Sequence, residues 1–291
     1  LQIALMALEL QPGDEVILPA FTYIAAAEVV ALLGLTPVLV DVDPRSFNID
    51  PRKIEAAVSG RTKAIVAVHL FGQSCDMEPI MALADAYHLY VVEDNAQSIG
   101  ADYTFSDGRV RKAGTIGHIG TTSFFPSKPL ACYGDGGALM TSDEVLAVRI
   151  RMIANHGQEC KYHHRWIGCN SRLDTLQAAV LDVKLKHLGE FTETRRQVAS
   201  RYDDALSSCD SLVLPARSTF STHVYHQYTV QVKDGRRNVL QCLLKERGIP
   251  SMIYYPVPVH HQEAYRHISR VSGNLDVSTR LCESVLSLPI H

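Results

Sequence analysis

The 291-residue sequence has no apolar run of about 18 residues, the length that a membrane-spanning helix requires. It also has no basic cluster beyond short pairs such as Arg236–Arg237, and its net charge is −3. We therefore expect no general electrostatic attraction to nucleic acid or to an anionic membrane. No G-x-G-x-x-G motif follows a predicted strand, which argues against a dinucleotide-binding dehydrogenase.

Cysteine pairs of the C-x-x-C type are also missing, which argues against a zinc ribbon or a thioredoxin-like motif. The seven cysteines are odd in number and scattered: Cys75, Cys132, Cys160, Cys169, Cys209, Cys242 and Cys282. Free thiols fit a reducing compartment, so we expect a cytoplasmic protein. The histidines at 163, 164, 260 and 261 lack the spacing of a first coordination shell, and we expect no metal site.

Both ends of the sequence are unusual. Leu1–Leu10 has the pattern of an amphipathic helix, but no N-cap residue stands before it. At the other end, Leu288–His291 follows a helical pattern and stops abruptly. We therefore expect the sequence to be a fragment or a trimmed form of a longer chain.

The sequence does contain short apolar runs that alternate with helical patterns. Its composition, 46% hydrophobic and 20% charged, is typical of a globular protein with a large core. Val38–Val42 and Ala64–Val68 are nearly all apolar, as in strands buried on both faces. This alternation indicates a mainly parallel sheet with helices on both sides. The predicted elements are strands at Glu15–Pro19, Pro37–Asp43, Ala64–Leu70, Leu89–Glu93 and Gly120–Phe124, and helices at Tyr23–Leu33 and Met77–Tyr87.

The second half of the sequence predicts a smaller unit. A long helical stretch runs over about residues 172–206 and is interrupted near Leu188–Gly189. The elements predicted after it are a strand at Tyr225–Lys233, a helix at Asn238–Arg247 and a strand at Ser251–Tyr255. We therefore predict a large α/β domain over residues 1–190 and a small C-terminal α/β domain over residues 191–291.

The segment Leu89–Gln97 is a first candidate for function. A buried strand ends in the two carboxylates of Glu93 and Asp94, and a turn with Asn and Gln follows. In an open α/β sheet, the carboxyl end of a strand opens onto the ligand crevice. A carboxylate there could bind a metal, act as a base or hold a cationic heterocycle, or it could cap a helix.

Lys128 is a second candidate. It follows an apolar strand and lies between two prolines, ahead of the glycine-rich Gly134–Gly137. A lysine with a lowered pKa can form a Schiff base with an aldehyde cofactor. Most loop lysines are merely solvated, however, so Lys128 by itself would not indicate catalysis.

Together, these two segments resemble the nucleotide-sugar aminotransferases of the DegT/DnrJ/StrS type. The resemblance continues in order along nearly the whole chain. The matching segments are Pro12–Pro19, Phe21–Ala25, Val68–Gln73, Glu93–Ser98, Ser123–Lys128, Asn155–Gly157, Gly168–Gln177 and Ile253–His260. The resemblance implies the fold-type-I architecture of pyridoxal-phosphate (PLP) enzymes: a large domain with a mainly parallel sheet of the seven-stranded type, a smaller α/β domain, and a homodimer with shared active sites.

The resemblance also implies roles for individual residues. Lys128 would hold the PLP aldehyde covalently and later act as the general base. Asp94 would keep the pyridine nitrogen protonated, and Gln97 would hydrogen-bond the 3-oxygen of the ring. Tyr23 would stack on the ring, with an ordinary core aromatic as the competing interpretation.

The cofactor phosphate would be bound by Ser123, and by Asn170 reaching over from the other subunit. The competing interpretation of Asn170 is a turn residue before the next helix. The family also has a Ser-Gly-Thr turn at a helix N-terminus that binds this phosphate. That turn would precede Leu1, so we expect the sequence as written to bind PLP poorly.

Substrate contacts are implied for three further residues. Tyr162 and His163 belong to the basic and aromatic stretch Lys161–Arg165, which suits diphosphate and sugar contacts from the neighbouring subunit. An exposed loop is the competing interpretation. His260 matches a family histidine near the sugar.

The expected reaction is transamination for amino-sugar or polysaccharide biosynthesis. L-glutamate would give its amino group to PLP, and the pyridoxamine form (PMP) would pass it to a keto sugar on a UDP- or dTDP-linked nucleotide. Tyr254–His260 is most similar to family members that act at the sugar's C3. The alternatives are a PLP/PMP-dependent sugar dehydratase, in which histidine would replace Lys128, and a non-catalytic regulatory protein of the same fold.

Overall fold

The computed structural model describes residues 1–290 of an α/β protein. The strands are β1 (Glu15–Pro19), β2 (Thr36–Val40), β3 (Thr62–Val68), β4 (Tyr90–Asp94), β5 (Asp102–Thr104), β6 (Val110–Lys112), β7 (Ile119–Ser123), β8 (Gly137–Met140), β9 (Gln158–Cys160), β10 (His163–His164), β11 (Leu212–Val213), β12 (Tyr228–Val232), β13 (Arg270–Val271) and β14 (Val285–Leu288). The helices are α1 (Gln2–Ala7), α2 (Ala25–Leu32), α3 (Pro51–Ile54), α4 (Met77–Tyr87), α5 (Glu144–Ala154), α6 (Thr175–Leu185), α7 (Leu188–Leu206), α8 (Arg237–Glu246) and α9 (Asp276–Ser284).

The large sheet has seven strands in the order β13-β2-β1-β3-β4-β7-β8. All of its neighbouring pairs are parallel except β7 with the edge strand β8. The prediction of a mainly parallel, seven-stranded sheet is therefore confirmed.

Two hydrophobic cores lie on opposite faces of this sheet. Because side chains alternate along a strand, Ala64 and Val66 of β3 join one core while Ile65 and Ala67 join the other. The first core also contains buried residues of α1, α2 and α5, and the second contains those of α3 and α4. Helices therefore cover both faces, which explains the nearly continuous apolar runs in the central strands.

A smaller antiparallel sheet, in the order β11-β12-β14, follows the long helix α7. Its buried residues pack with α7, which contributes Ala199, and with partly buried leucines of α8. The predicted interruption of the long helical stretch is confirmed, since α6 ends at Leu185 and α7 begins at Leu188.

The prediction of a strand at Ser251–Tyr255 is wrong. Only Met252 pairs there, in an isolated bridge with Ser287 of β14. Pro250 and Pro256 bound the segment, and a proline has no N–H for a ladder and restricts the residue before it. β12 pairs instead with β11 and β14, and β14 forms where the helical pattern near the end of the sequence stops.

The second half of the chain also contributes to the large sheet. Residues Arg270 and Val271 form β13, and the Arg270 guanidinium binds the buried carboxylate of Glu15 with an Nη2–Oε2 distance of 2.8 Å. Asp41, after β2, accepts hydrogen bonds from the amides of Val277 and Ser278 in the first turn of α9. The division of the chain at residue 190 stays a prediction, and His291 lies outside the described residues.

Gly72 is the point where the loop after β3 meets the segment that leads into β12. Its φ is +112°, and a Cβ on this residue would lie 2.7 Å from the Tyr225 nitrogen and 2.8 Å from the His226 nitrogen. The Gly72 carbonyl accepts a hydrogen bond from Val224 N at 2.8 Å. Only glycine permits both this conformation and this approach.

We expect Gly72→Ala to lower the free energy of unfolding by at least about 2 kcal/mol, because it adds backbone strain and a clash with main-chain atoms. Urea unfolding followed by circular dichroism measures this. Gly60→Ala is the matched control, since a Cβ there meets nothing within 4 Å. Equal stability of the two variants would contradict the close approach.

Candidate active site

A cavity of about 530 Å³ opens at the carboxyl ends of β3, β4 and β7. Five of the predicted site residues line it: Tyr23, Asp94, Gln97, Ser123 and Lys128. Asp94 and Ser123 end the parallel strands β4 and β7, whose carboxyl ends meet at one edge of the sheet. A larger cavity, of about 650 Å³, is lined by residues 43, 45, 46, 48–52, 76, 79 and 216–220, and none of the predicted residues lines it.

Lys128 lines the 530 Å³ cavity from the loop after β7. Its main-chain N–H donates to the Phe125 carbonyl at 2.8 Å, which closes a tight turn. Burial lowers the pKa of the Lys128 amine, and the nearby charge of Asp94 partly opposes that shift. Lys128 is only partly exposed, so it is not a fully solvated loop lysine, while its role in catalysis stays a prediction.

Asp94 is the last residue of β4 and is 9% exposed. Its Oδ1 accepts a hydrogen bond from Ala96 N at 3.1 Å, and a turn rather than a helix follows it. The capping interpretation therefore does not apply. The carboxylate points to the same cavity as the Lys128 amine.

Gln97 has an amide group whose orientation is set by two partners. Its Oε1 accepts a hydrogen bond from Phe71 N at 2.7 Å, and its Nε2 donates to the Tyr255 hydroxyl at 3.1 Å. Because the oxygen is occupied by a main-chain donor, the amide presents N–H groups on the Tyr255 side. Gln97 can therefore donate to an electron-rich oxygen in the cavity.

Ser123 and Tyr23 complete the predicted set. Ser123 ends β7, and its hydroxyl accepts a hydrogen bond from Phe125 N at 3.3 Å. Tyr23 is 57% exposed, with its ring centroid 5.9 Å from that of Tyr255. The core-aromatic interpretation is wrong for Tyr23, because the fully buried aromatic of this segment is Phe21.

The whole chain, residues 1–291, matches the model of the DegT/DnrJ/EryC1/StrS aminotransferase family. The chain belongs to this family. It is 47% identical over 291 residues to UDP-2-acetamido-2-deoxy-3-oxo-D-glucuronate aminotransferase of Pseudomonas aeruginosa, with 100% of this chain and 78% of that protein covered. It is 46% identical over 292 residues to the Pleiotropic regulatory protein of Geobacillus stearothermophilus, with 100% and 77% covered.

The fold of the family is shared as well. NtdA of Bacillus subtilis, solved with bound cofactor PMP, superposes with a TM-score of 0.88 at 33% sequence identity. The match covers 100% of this chain and 66% of that one. The predictions of the family, of its fold and of an aminotransferase are therefore confirmed.

Four predicted residues do not line the cavity. Asn170 is exposed and pairs with Asn155 in an isolated antiparallel β-bridge. Tyr162 and His163 lie in the exposed β9–β10 hairpin. His260 lies 3.5 Å from the Thr279 hydroxyl, where burial lowers the pKa of its ring. Their roles stay predictions.

The cavity also contains residues to which the sequence assigned no role. Tyr255 is partly buried beside Gln97, and this burial raises the pKa of its hydroxyl. Phe71, His226 and Gln227 form another wall, where Gln227 N donates to the Phe71 carbonyl at 3.2 Å. Tyr255 lies in a motif of the resemblance, which was the available signal. The pair at 226–227 had none, because only the fold brings this segment to β3.

Two further searches concern the described residues alone. Within residues 1–290, no three His, Cys, Asp or Glu side chains are grouped so that they could hold a metal ion. No helix in the same range is both long enough and apolar enough to span a membrane.

The pKa of Lys128 can be tested directly. We expect the amine to lose its proton at a lower pH than an exposed lysine, and Asp94→Asn to lower this pKa further because it removes the charge that favours the ammonium form. The pH dependence of Lys128 acetylation by acetic anhydride, followed by mass spectrometry, measures both effects. Asp135→Asn is the control, since Asp135 lines the cavity but is exposed to solvent. A rise in the pKa with Asp94→Asn would contradict the interaction.

Proposed function

We propose that the protein transfers an amino group from L-glutamate to the 3-keto group of a nucleotide-linked sugar, with PLP as its cofactor. The observation that carries this proposal is the partly desolvated Lys128 amine, which shares a cavity with Asp94 and Gln97. Family membership supports amino transfer as the reaction class.

The side chains of the cavity fit PLP group by group. Lys128 supplies an amine for the aldehyde, and Asp94 supplies a carboxylate for the pyridine nitrogen. Gln97 supplies N–H groups for the ring oxygen, because its own oxygen is already bound by Phe71 N. Ser123 supplies a hydroxyl for the phosphate. When bound, PLP provides the electron sink that stabilises negative charge at the carbon from which a proton is removed.

The residues of the chain then have separate tasks. The lowered pKa of Lys128 Nζ increases its unprotonated fraction at any given pH, and the unprotonated amine can attack an aldehyde or accept a proton. The Asp94 carboxylate would stabilise a positive charge on the pyridine nitrogen of PLP. Tyr255 and Phe71 exclude water from the inner wall, which strengthens the electrostatic interactions in the cavity.

The choice of acceptor rests on the relatives. The protein from Pseudomonas aeruginosa is named for a UDP-linked 3-oxo sugar, and a Streptomyces venezuelae relative is named for a dTDP-linked 3-amino sugar. We therefore assign a 3-keto sugar on UDP or dTDP, in amino-sugar or polysaccharide biosynthesis. The cysteines, all free within the described residues, support a location in the cytoplasm.

A homodimer is part of this proposal. The loop over residues 155–172 exposes apolar side chains, with Ile167 90% exposed, and Leu176 in the following helix is 81% exposed. The loop has a defined shape, because Gly157 O accepts hydrogen bonds from the amides of Arg165 and Trp166. A second copy that covers this surface would bury the apolar side chains and could bring Asn170 and residues 161–165 to the neighbouring cavity.

The cofactor assignment is tested through Lys128. We expect the purified protein with PLP to show an absorption band that borohydride fixes covalently, and a labelled peptide that contains Lys128. Lys128→Ala should lose the band and at least about 1,000-fold of the amino-transfer rate, because the covalent link and the proton carrier are both removed. Lys245→Ala, an exposed lysine on α8 that does not line the cavity, should keep the band.

The same experiment distinguishes amino transfer from the alternative functions. The name of the Geobacillus relative favours a regulatory role as the second candidate, and PLP bound without turnover on any keto sugar would support it. A dehydratase is disfavoured by Lys128 itself. A band that survives in Lys128→Ala would overturn the cofactor assignment.

The dimer is tested with Ile167→Asp. We expect this charge to dissociate the dimer and to weaken PLP binding at least about tenfold, because each site would lose its contacts from the second copy. Analytical ultracentrifugation and PLP titration measure the two effects. Val239→Asp is the control, since Val239 is a 55% exposed valine on α8. A monomeric wild-type protein that binds PLP tightly would refute the shared site.

A further inference from the structure

Glu93 is a fully buried carboxylate next to Asp94 on β4. Successive side chains of a strand point to opposite faces, so Glu93 faces away from the cavity that Asp94 lines. Burying a charged group in this way is strongly unfavourable unless every acceptor position is satisfied. The stability of the Glu93 anion therefore depends on its hydrogen-bond partners.

Four donors converge on the Glu93 carboxylate. Oε1 accepts from the amides of Ile116 and Gly117, each at 2.6 Å. Oε2 accepts from Gly114 N at 2.7 Å and lies 2.8 Å from His69 Nε2. Burial alone would raise the pKa of Glu93, but these hydrogen bonds more than offset that effect and hold the pKa below its usual value.

His69 is held at both ring nitrogens. Its Nδ1 accepts a hydrogen bond from Cys75 N at 3.0 Å, so the ring proton resides on Nε2, where it is donated to Glu93. The imidazole is fully buried and has no freedom to rotate without losing both bonds. The anion of Glu93 therefore fixes the position of His69.

The main chain of His69 is bonded in turn to the turn that carries Asp94 and Gln97. Its N–H donates to the Asp94 carbonyl at 3.0 Å, and its own carbonyl accepts from the Ser98 hydroxyl at 2.8 Å. Two residues further on, Phe71 N donates to Gln97 Oε1. Residues 69–71 therefore bind the start, the end and the functional side chain of the turn.

We propose that Glu93 and His69 are positioning residues that set the orientation of Asp94 and Gln97 toward the cofactor. They act through the main chain of residues 69–71 and do not line the cavity. This inference rests on the proposed PLP site, and it goes beyond it by assigning a function to a buried ion–imidazole pair that touches neither cofactor nor substrate.

Glu93→Gln tests the pair with almost no change of shape. A carboxamide must direct its NH2 group either at the Gly114 amide or at the amides of Ile116 and Gly117. In both orientations a donor faces a donor, and a change of the His69 tautomer cannot compensate because Nδ1 must still accept from Cys75 N. The turn therefore loses its fixed support.

We expect Glu93→Gln to weaken PLP binding by about tenfold or more, as is usual when a buried, charge-assisted hydrogen bond is broken. We also expect the pH midpoint of the PLP–lysine absorption band to shift, because Asp94 and Gln97 no longer face the ring in the same way. A third readout needs no cofactor: in NMR spectra of the apoprotein, the side-chain NH2 signals of Gln97 should shift.

The matched control is Asp41→Asn. Asp41 is likewise a buried carboxylate, 2% exposed, but its acceptors bind the first turn of α9 and it does not line the cavity. We expect this variant to melt at a lower temperature while its PLP affinity, band midpoint and Gln97 signals stay at wild-type values. If Asp41→Asn changed these three readouts as much as Glu93→Gln does, the effect would be general destabilisation and the proposal would fail.

Two safeguards keep the outcome decisive. If Glu93→Gln does not fold, Ser98→Ala removes one neutral hydrogen bond of the same chain of contacts and should shift the same readouts in the same direction by a smaller, about fivefold, factor. Unchanged readouts in the folded variant overturn the inference. A wild-type protein without a Lys128-dependent band would refute the PLP site instead, and the Gln97 signals would still report whether Glu93 controls the turn.

Discussion

The pairing of the parallel strands β3, β4 and β7 is the constraint on which the site depends. Asp94 lies in register with Val68 on one side and with Thr121 on the other. β3 and β4 therefore end at the same level, β7 continues two residues further to Ser123, and the segments that follow these strands line one cavity. Two hydrophobic cores hold this sheet from both faces, so the strand ends are rigid while the loops remain available for chemistry.

Hydrogen bonds outside the strand pairing of the large sheet then fix the orientation of the functional groups at the strand ends. The turn after β4 is bound by the main chain after β3, through His69 and Phe71, and Glu93 holds that segment from the far side. The smaller sheet is connected to the same loop at Gly72, which places Gln227 on the cavity wall, and Tyr255 reaches Gln97 from a segment further along the chain. The site is thus assembled by both halves of the chain.

The local sequence pattern predicted secondary structure correctly where the residues of a segment determine its conformation. The strand at Glu15–Pro19 and the helix at Met77–Tyr87 have the predicted bounds, because apolar runs and amphipathic spacing are local properties. Pattern failed at Ser251–Tyr255, where apolar and aromatic residues indicated a strand but flanking prolines leave only one bridge. It also missed short strands such as Arg270–Val271, whose pairing depends on a strand more than two hundred residues away.

The family and the alternation of strands and helices could be predicted from the sequence. Lys128, Asp94, Gln97 and Ser123 could be named as candidates because each lies in a short motif of consecutive residues. The three-dimensional structure was needed to show which of them meet, which way the Gln97 amide faces, and that Glu93 accepts from four donors. The physical reason is that burial and hydrogen-bond partners are properties of space. They arise from contacts between residues that the order of the chain keeps far apart.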